Sequence, residues 1–308
     1  MGRVSTDFVG QRRIVLRPAN RCDNPLGGDP ICSERQRRWP VLGGAIRAAP
    51  ILEEMAAFYE PDFLPDVQGE ASLRARLFEW ERDRVAYRSE VRWLLRFLES
   101  GSRYLDYSAG TGRIVRLVQR YRPFTDVYAT EFSPAYREML SRHLPEAHIR
   151  SELSGFHGGI EFDCISAFGV LEHVPSPTGM IRGLGSRLRR GGTLILTVPN
   201  PDSWQRTWSG PQWWCWLAPR HMYLMNMPTL VQLLEENHFR IVRQWHYLSR
   251  YCTTTLVGSL APSLHPANAS GWRMLAFGVL YFAARPVEWL ASRHGRGGFM
   301  GVVAAKGA

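Results

Sequence analysis

Hydrophobic positions along this 308-residue chain change their period near residue 100. From Ala71 to Glu99, Leu73, Leu77, Val91, Leu94, Leu95 and Leu98 recur at helical spacing. Beyond them, short apolar runs alternate with amphipathic stretches. Strands are expected at Tyr104–Tyr107, Val127–Thr130, His148–Leu153, Asp163–Phe168 and Thr193–Val198. Helices fall between them, one with Ser133 as N-cap and Pro134 in its first turn, another running from about Pro177 to the stop at Gly191-Gly192. A helix over Pro228–Asn237, a strand over Arg240–Tyr247 and a last strand near Phe299–Ala305 complete the pattern. Because each crossover returns the chain in the same direction, alternation of this kind implies a mostly parallel, doubly wound α/β sheet.

Residues 1–70 show no such pattern, only turn signals at Asn24-Pro25, Gly27-Gly28 and Gly43-Gly44, and are set aside as an N-terminal extension or lid. The main domain, 71–308, carries two insertions, at about 201–225 and 250–298. The longest strongly apolar stretch, Met274–Ala284, lies in the second. It falls short of the roughly 20 apolar residues that a bilayer-crossing helix needs. A core helix, a dimer helix, an entrance for an apolar acceptor and peripheral membrane contact are all open for it.

Composition adds little to the fold and something to the compartment. The chain is 45% hydrophobic with a net charge of +10, mostly from dispersed Arg. That charge suits anionic surroundings but names no partner. The five Cys (Cys22, Cys32, Cys164, Cys215, Cys252) form no C-x-x-C pair, so neither a zinc ribbon nor a disulfide framework is expected. With no apolar core to the starting segment MGRVSTDFVGQRR, the expectation is a reducing, cytoplasmic setting. The same segment fits the loose myristoylation pattern at Gly2 and Thr6.

The chemistry concentrates in LDYSAGTG, Leu105–Gly112, between the first strand and its helix. Gly in such a turn lets backbone approach a ligand, and the helix N-terminus offers unpaired N–H groups. A Walker loop is excluded by the missing G-K-[ST], and a dinucleotide fingerprint by Val115 at its last Gly position. From Leu105 to Lys306 the chain resembles the class I S-adenosylmethionine-dependent methyltransferases, whose first motif is Leu-Asp-x-Gly-x-Gly-x-Gly. It keeps Leu105, Asp106, Gly110 and Gly112 and has Ser108 at the first Gly position, a substitution that preserves the turn if its φ is negative. Three further segments fit the subgroup containing ubiquinone-pathway and bacterial small-molecule enzymes: FDCISAFGVLEHVPSP (Phe162–Pro177), LRRGGTLILTVPN (Leu188–Asn200) and PRHMYLMNMPTL (Pro219–Leu230).

The resemblance implies a Rossmann-like, seven-stranded, mostly parallel sheet and S-adenosylmethionine as cofactor. It implies that Asp106 organises the loop around the methionine portion, lined by the backbone of Ser108, Ala109, Gly110 and Gly112. Glu131, ending the second strand, would take the ribose hydroxyls, with Phe132 on the adenine. Glu152 and Phe168 are further candidates on the adenine side. Set against this, Glu131 would also serve simply as a carboxylate at the N-terminus of the next helix.

For the transfer itself, the candidate base is His173, a residue type that titrates near ~6.5; a role in shaping the pocket is the equal alternative. Some relatives of the ubiquinone pathway hold a divalent cation in this segment, but here only Glu172 and His173 are offered, with Gly169 where a further acidic residue would stand. Two ligands make a poor site, so no metal is expected. Trp204, Trp208, Trp213, Trp214 and Trp216 fill the first insertion, either as a roof over the acceptor or as a satellite core. Trp213, Trp214, Arg220, His221 and Tyr223 are the candidate acceptor residues. The implied activity is methylation of a small-molecule acceptor, at a hydroxyl oxygen. Nucleic-acid acceptors fit less well, since neither an [Asn/Asp]-Pro-Pro-[Tyr/Phe] string nor a Pro-Cys nucleophile occurs. The alternatives are an RNA or protein methyltransferase, or a catalytically silent binding protein on the same fold.

Overall fold

The computed structural model describes residues 41–42, 45–47, 87–216, 221–247, 250–264 and 271–307. The turn signals of the N-terminal extension, the first part of the Ala71–Glu99 helix and Arg220 lie outside them.

A seven-stranded sheet forms the centre, in the order β5-β4-β3-β6-β7-β10-β9. Its strands are β3 (Arg103–Tyr107), β4 (Asp126–Thr130), β5 (Ile149–Arg150), β6 (Phe162–Phe168), β7 (Leu188–Pro199), β9 (Phe239–Tyr247) and β10 (Phe299–Lys306). β5, β4, β3, β6 and β7 run parallel, whereas β10 pairs antiparallel with both β7 and β9. A small second sheet joins β1 (Val41–Leu42), β2 (Ala45–Arg47) and β8 (Tyr223–Met225), all antiparallel.

Alternating side chains send each strand's apolar residues to two separate cores, which is why both faces need covering. Leu194 and Leu196 of β7 enter one core with Ile181, Leu184 and Leu230. Ile195 enters the other with Leu94, Val115 and Leu140. The first face is covered by α4 (Pro177–Arg187) and α6 (Met227–Glu236), the second by α1 (Tyr87–Phe97), α2 (Arg113–Tyr121) and α3 (Pro134–Ser141). α4 and α6 start as the sequence predicts: Ser176 and Asn226 accept N–H bonds from Gly179 and Thr229, with Pro in each first turn.

Two strands differ from expectation. The third pairs only over Ile149–Arg150, because the Arg150 guanidinium bonds back to Gly155 O (2.9 Å) and Glu146 O (2.9 Å) and the chain coils at the sheet edge. β7 begins five residues early, at Leu188, with Gly191-Gly192 inside an irregularity of its register.

The two insertions adjoin one another. The first contains α5 (Trp204–Ser209); the second contains α7 (Arg250–Leu260) and α8 (Trp272–Arg293). α8 corrects the expected Met274–Ala284 helix. It has 22 residues, continues through Pro286, and is long and apolar enough by length and composition to cross a membrane. Buried Gln205 joins the insertions: its amide donates to Cys252 O (2.5 Å) and Glu288 Oε1 (2.7 Å), and Thr255 donates to its carbonyl (2.8 Å).

Candidate cofactor and acceptor site

Strand order reverses beside β3, whose neighbours β4 and β6 lead to opposite halves of the sheet. Ligands of open α/β sheets bind at the carboxyl ends of strands at such a point. There the loop Ser108–Gly112 leaves β3 and turns into α2.

The loop is fastened to β4 by three successive backbone N–H groups. Ser108 donates to Thr130 Oγ1 (3.1 Å), Ala109 to Thr130 O (2.8 Å) and Gly110 to Glu131 Oε2 (2.7 Å). Ser108 has φ +61°, so the turn is kept in the left-handed region and not with the negative φ expected of a Ser. Gly112 caps α2 at φ +74°, where a Cβ would lie 2.6 Å from Leu140. Only Gly fits both constraints.

Asp106 is buried at the end of β3, and Ser166 of β6 donates to its Oδ1 at 2.9 Å. Tyr104 completes the chain, with its hydroxyl 2.6 Å from Ser166 Oγ. Burial pushes the Asp106 carboxyl up to about 7, against the pull of these hydroxyls. Glu131 is buried too. Besides Gly110, it accepts the N–H of Ser133 at 2.9 Å, and burial raises its pKa. Glu131 therefore clamps the loop and caps α3 at the same time. Each of its oxygens keeps a further lone pair, which is what two ribose hydroxyls require.

Arg137 bonds to the carbonyls of Glu131 (2.8 Å) and Phe132 (2.6 Å) and fixes this corner, leaving the Phe132 ring 70% exposed beside it. Glu152 is exposed near Tyr107, whose hydroxyl pKa rises through burial and the Glu152 charge. Phe168 and Ala109 are half-buried against the same core.

After β6, the turn Leu171–His173 carries the candidate base. The structure adds a neighbour from far along the chain: His221 lies edge-on to His173, ring centroids 4.6 Å apart. With Glu172, these residues bring three possible ligand atoms within 4.8 Å of one another, one more residue than sequence reasoning offered. Glu172 is buried, its Oε2 without a hydrogen-bond partner, and burial pushes its carboxyl to about 8. His221 Nδ1 lies 2.7 Å from Cys215 O. A carbonyl only accepts, so that nitrogen carries a proton, and in the neutral imidazole Nε2 is then the ligand atom.

The acceptor candidates separate. His221 and Tyr223 converge on the segment that carries His173: Tyr223 donates to Pro175 O (3.0 Å), and Met222 N donates to Glu172 O (2.7 Å). Trp213 is instead a core residue, 1% exposed and packed with Cys215 and Leu224. Trp214 is half-buried, its backbone N–H donating to Ser259 Oγ at 2.8 Å. The satellite-core reading of this insertion thus holds for Trp213. Sequence reasoning missed Thr130, Ser166 and Tyr104, common residues that become informative only once strand register sets them beside Asp106 and the loop. A shallow cleft lined by Arg103, Asp126, Asp163 and Arg189 lies at the opposite, amino-terminal edge and is occupied by its own ion pairs.

Comparison with known proteins places the domain in a family. Residues 79–244 match the family model described as "Methyltransferase domain". Ubiquinone biosynthesis O-methyltransferase of Xanthomonas axonopodis pv. citri is 29% identical over 109 residues, 33% of this chain and 44% of that protein. The enzyme of the same name from Xanthomonas oryzae pv. oryzae is 28% identical over 131 residues, 39% of this chain and 54% of that protein. The chain thus spans about half the length of the curated relatives it matches. Among solved structures, phosphoethanolamine N-methyltransferase 2 of Haemonchus contortus, in complex with S-adenosyl-L-methionine, shares the fold with a TM-score of 0.53 at 13% identity, over 87% of this chain and 62% of that one. Fold, loop and family match lead to one conclusion: this chain belongs to the methyltransferase-domain family, in its class I, S-adenosylmethionine-dependent form.

Proposed function

We propose that the protein transfers the methyl group of S-adenosylmethionine to a hydroxyl oxygen of a small-molecule acceptor. The observation that carries this reading is the placement of His173 beside His221 and buried Glu172, just beyond the strand end that follows the cofactor loop. The names of the ubiquinone-pathway relatives support it.

When bound, S-adenosylmethionine supplies an activated methyl on a sulfonium. The chain's own residues then do four things. The Ser108–Gly112 backbone and Asp106 hold the methionine end, while Glu131 accepts from the ribose hydroxyls. Phe132, Phe168 and Glu152 border the adenine. His173 takes the hydroxyl proton at its imidazole, and the packed turn fixes its position, so that alignment and proton removal coincide.

A second reading has its own observation. The partnerless Glu172 Oε2 and the three clustered ligand atoms fit a divalent cation, which would lower the acceptor's pKa in place of a side-chain base. Glu172, His173 and His221 would hold it.

Calorimetric titration with S-adenosylmethionine and S-adenosylhomocysteine tests the cofactor site: micromolar binding is expected, and no binding of either to folded protein would refute it. Turnover on a panel of phenols then tests the base. His173→Ala is expected to lower kcat by about 10²–10⁴ while leaving cofactor affinity unchanged. Full activity in that variant, with or without chelator, would remove His173 from the chemistry. Loss of wild-type activity with chelator, restored by added metal, would favour the cation.

A further inference from the structure

α8 is apolar on two sides, and among the described residues only one of them is packed against the fold. Phe277, Tyr281, Glu288 and Ala291 are buried against the fold. On the other side Trp272 (70% exposed), Leu275 (74%), Val279, Phe282 and Trp289 stand in solvent. Their spacing of three, four, three and seven makes one continuous stripe along the helix. Its terminal tryptophans are about 25 Å apart at ~1.5 Å per residue. An exposed apolar stripe of this length marks an interaction surface.

Charge identifies the occupant. From Asn237 to Ala308 the sole acidic side chain is Glu288, against seven Arg and Lys306. Glu288 is on the inner side, wholly buried and hydrogen-bonded to Gln205 and to Gly298 N (3.3 Å). The charges along the outer side are therefore all cationic. Arg273 lies over the Trp272 ring at 5.9 Å and Arg293 over the Trp289 ring at 5.1 Å, each end of the stripe pairing an aromatic with a cation. A second copy of this chain would set like charges against each other. A transmembrane course is incompatible with the buried Glu288 side. It is also incompatible with topology, since β9 and β10, on either side of the excursion, pair in one sheet. Trp at the interface with Arg beside it is the arrangement of a helix lying in the headgroup region of an anionic bilayer.

We infer that the outer side of α8 docks the protein on the surface of a membrane containing anionic lipid. The inference is independent of the acceptor: it concerns where the protein sits, and its failure would leave the methyl-transfer reading untouched.

Co-sedimentation of the full chain with vesicles tests it, comparing pure phosphatidylcholine with an equal mixture of phosphatidylcholine and phosphatidylglycerol. Binding to the mixed vesicles is expected, weakened by salt and by roughly ten-fold or more on neutral vesicles. Trp272→Ser with Leu275→Ser is expected to reduce binding about ten-fold, and Arg273→Gln with Arg293→Gln to reduce it on anionic vesicles alone. These side chains are exposed, so an unchanged melting temperature confirms that the variants fold. Folded protein that stays in the supernatant with both vesicle types would overturn the inference. So would wild-type binding in both double variants, or a concentration-dependent dimer that the Trp272→Ser, Leu275→Ser variant disperses.

Discussion

At the scale of single residues, the site turns on Ser108 and Glu131. A non-Gly residue at φ +61° costs roughly 1–2 kcal/mol, and Ser108 holds that conformation because its own N–H and the next two are tied to Thr130 and Glu131. Ser108→Gly is accordingly expected to raise Tm by roughly 2–4 °C per 1 kcal/mol recovered, with cofactor affinity kept; a lower Tm would mean that the hydroxyl stabilises the turn. Glu131→Ala removes both the clamp on Gly110 and the carboxylate that we propose accepts from the ribose hydroxyls. Loss of charge-assisted bonds of about 1.5–3 kcal/mol should weaken S-adenosylhomocysteine binding by ten-fold or more in calorimetry, and unchanged affinity would take Glu131 out of the site. Both residues were legible in the sequence, since a loop after a strand and an acid ending the next strand are local signals. The sign of Ser108's φ was not, because long-range bonds to β4 decide it. His221 was legible as a candidate acceptor residue, but its place beside His173 was not, since only folding of the intervening strand and insertion brings the two rings together.

At the scale of elements, the strand–helix alternation was legible because each strand's apolar residues and each helix cap are written locally. α8 was not. Arg285 and Pro286 interrupt its apolar run, yet the helix continues because Glu288 and Ala291 anchor the turn beyond them. That anchor has a pH signature. Burial raises the Glu288 carboxyl from the ordinary 4.5 to about 7, although Gln205 and Gly298 donate to it and favour the charged form. The folded protein keeps this proton up to about pH 7, whereas the unfolded chain releases it near 4.5. Its contribution is therefore complete below the lower value and lost as pH rises through the upper one. Melting curves between these limits should show Tm falling with pH, and Glu288→Gln should flatten that decline. An unchanged slope in the variant would contradict the assignment.

At the scale of the whole molecule, a sheet covered on both faces carries the cofactor loop, and the α5, α7 and α8 insertions attach through buried polar contacts around Gln205. Stability should be graded accordingly. In hydrogen exchange, β6 and β7 are expected to be the slowest segments and α7–α8 faster. Adding S-adenosylhomocysteine should slow exchange in 106–112 and 130–133 while leaving 272–293 unaffected; protection confined to α8 would relocate the ligand. One pairing described above has an architectural consequence. Phe299 lies directly opposite Tyr247, so β9 and β10 form a hairpin whose connection is the whole stretch 248–298. Closing a loop of about fifty residues costs roughly 3 kcal/mol more than a two-residue turn would. The fold has no geometric need of that excursion, and a tight turn would serve the same register. The appendage is in that sense a graft held at a continuing entropic toll, and Gln205 is the place where the host has grown to depend on it: prune the graft, and a buried amide is left with no one to bond.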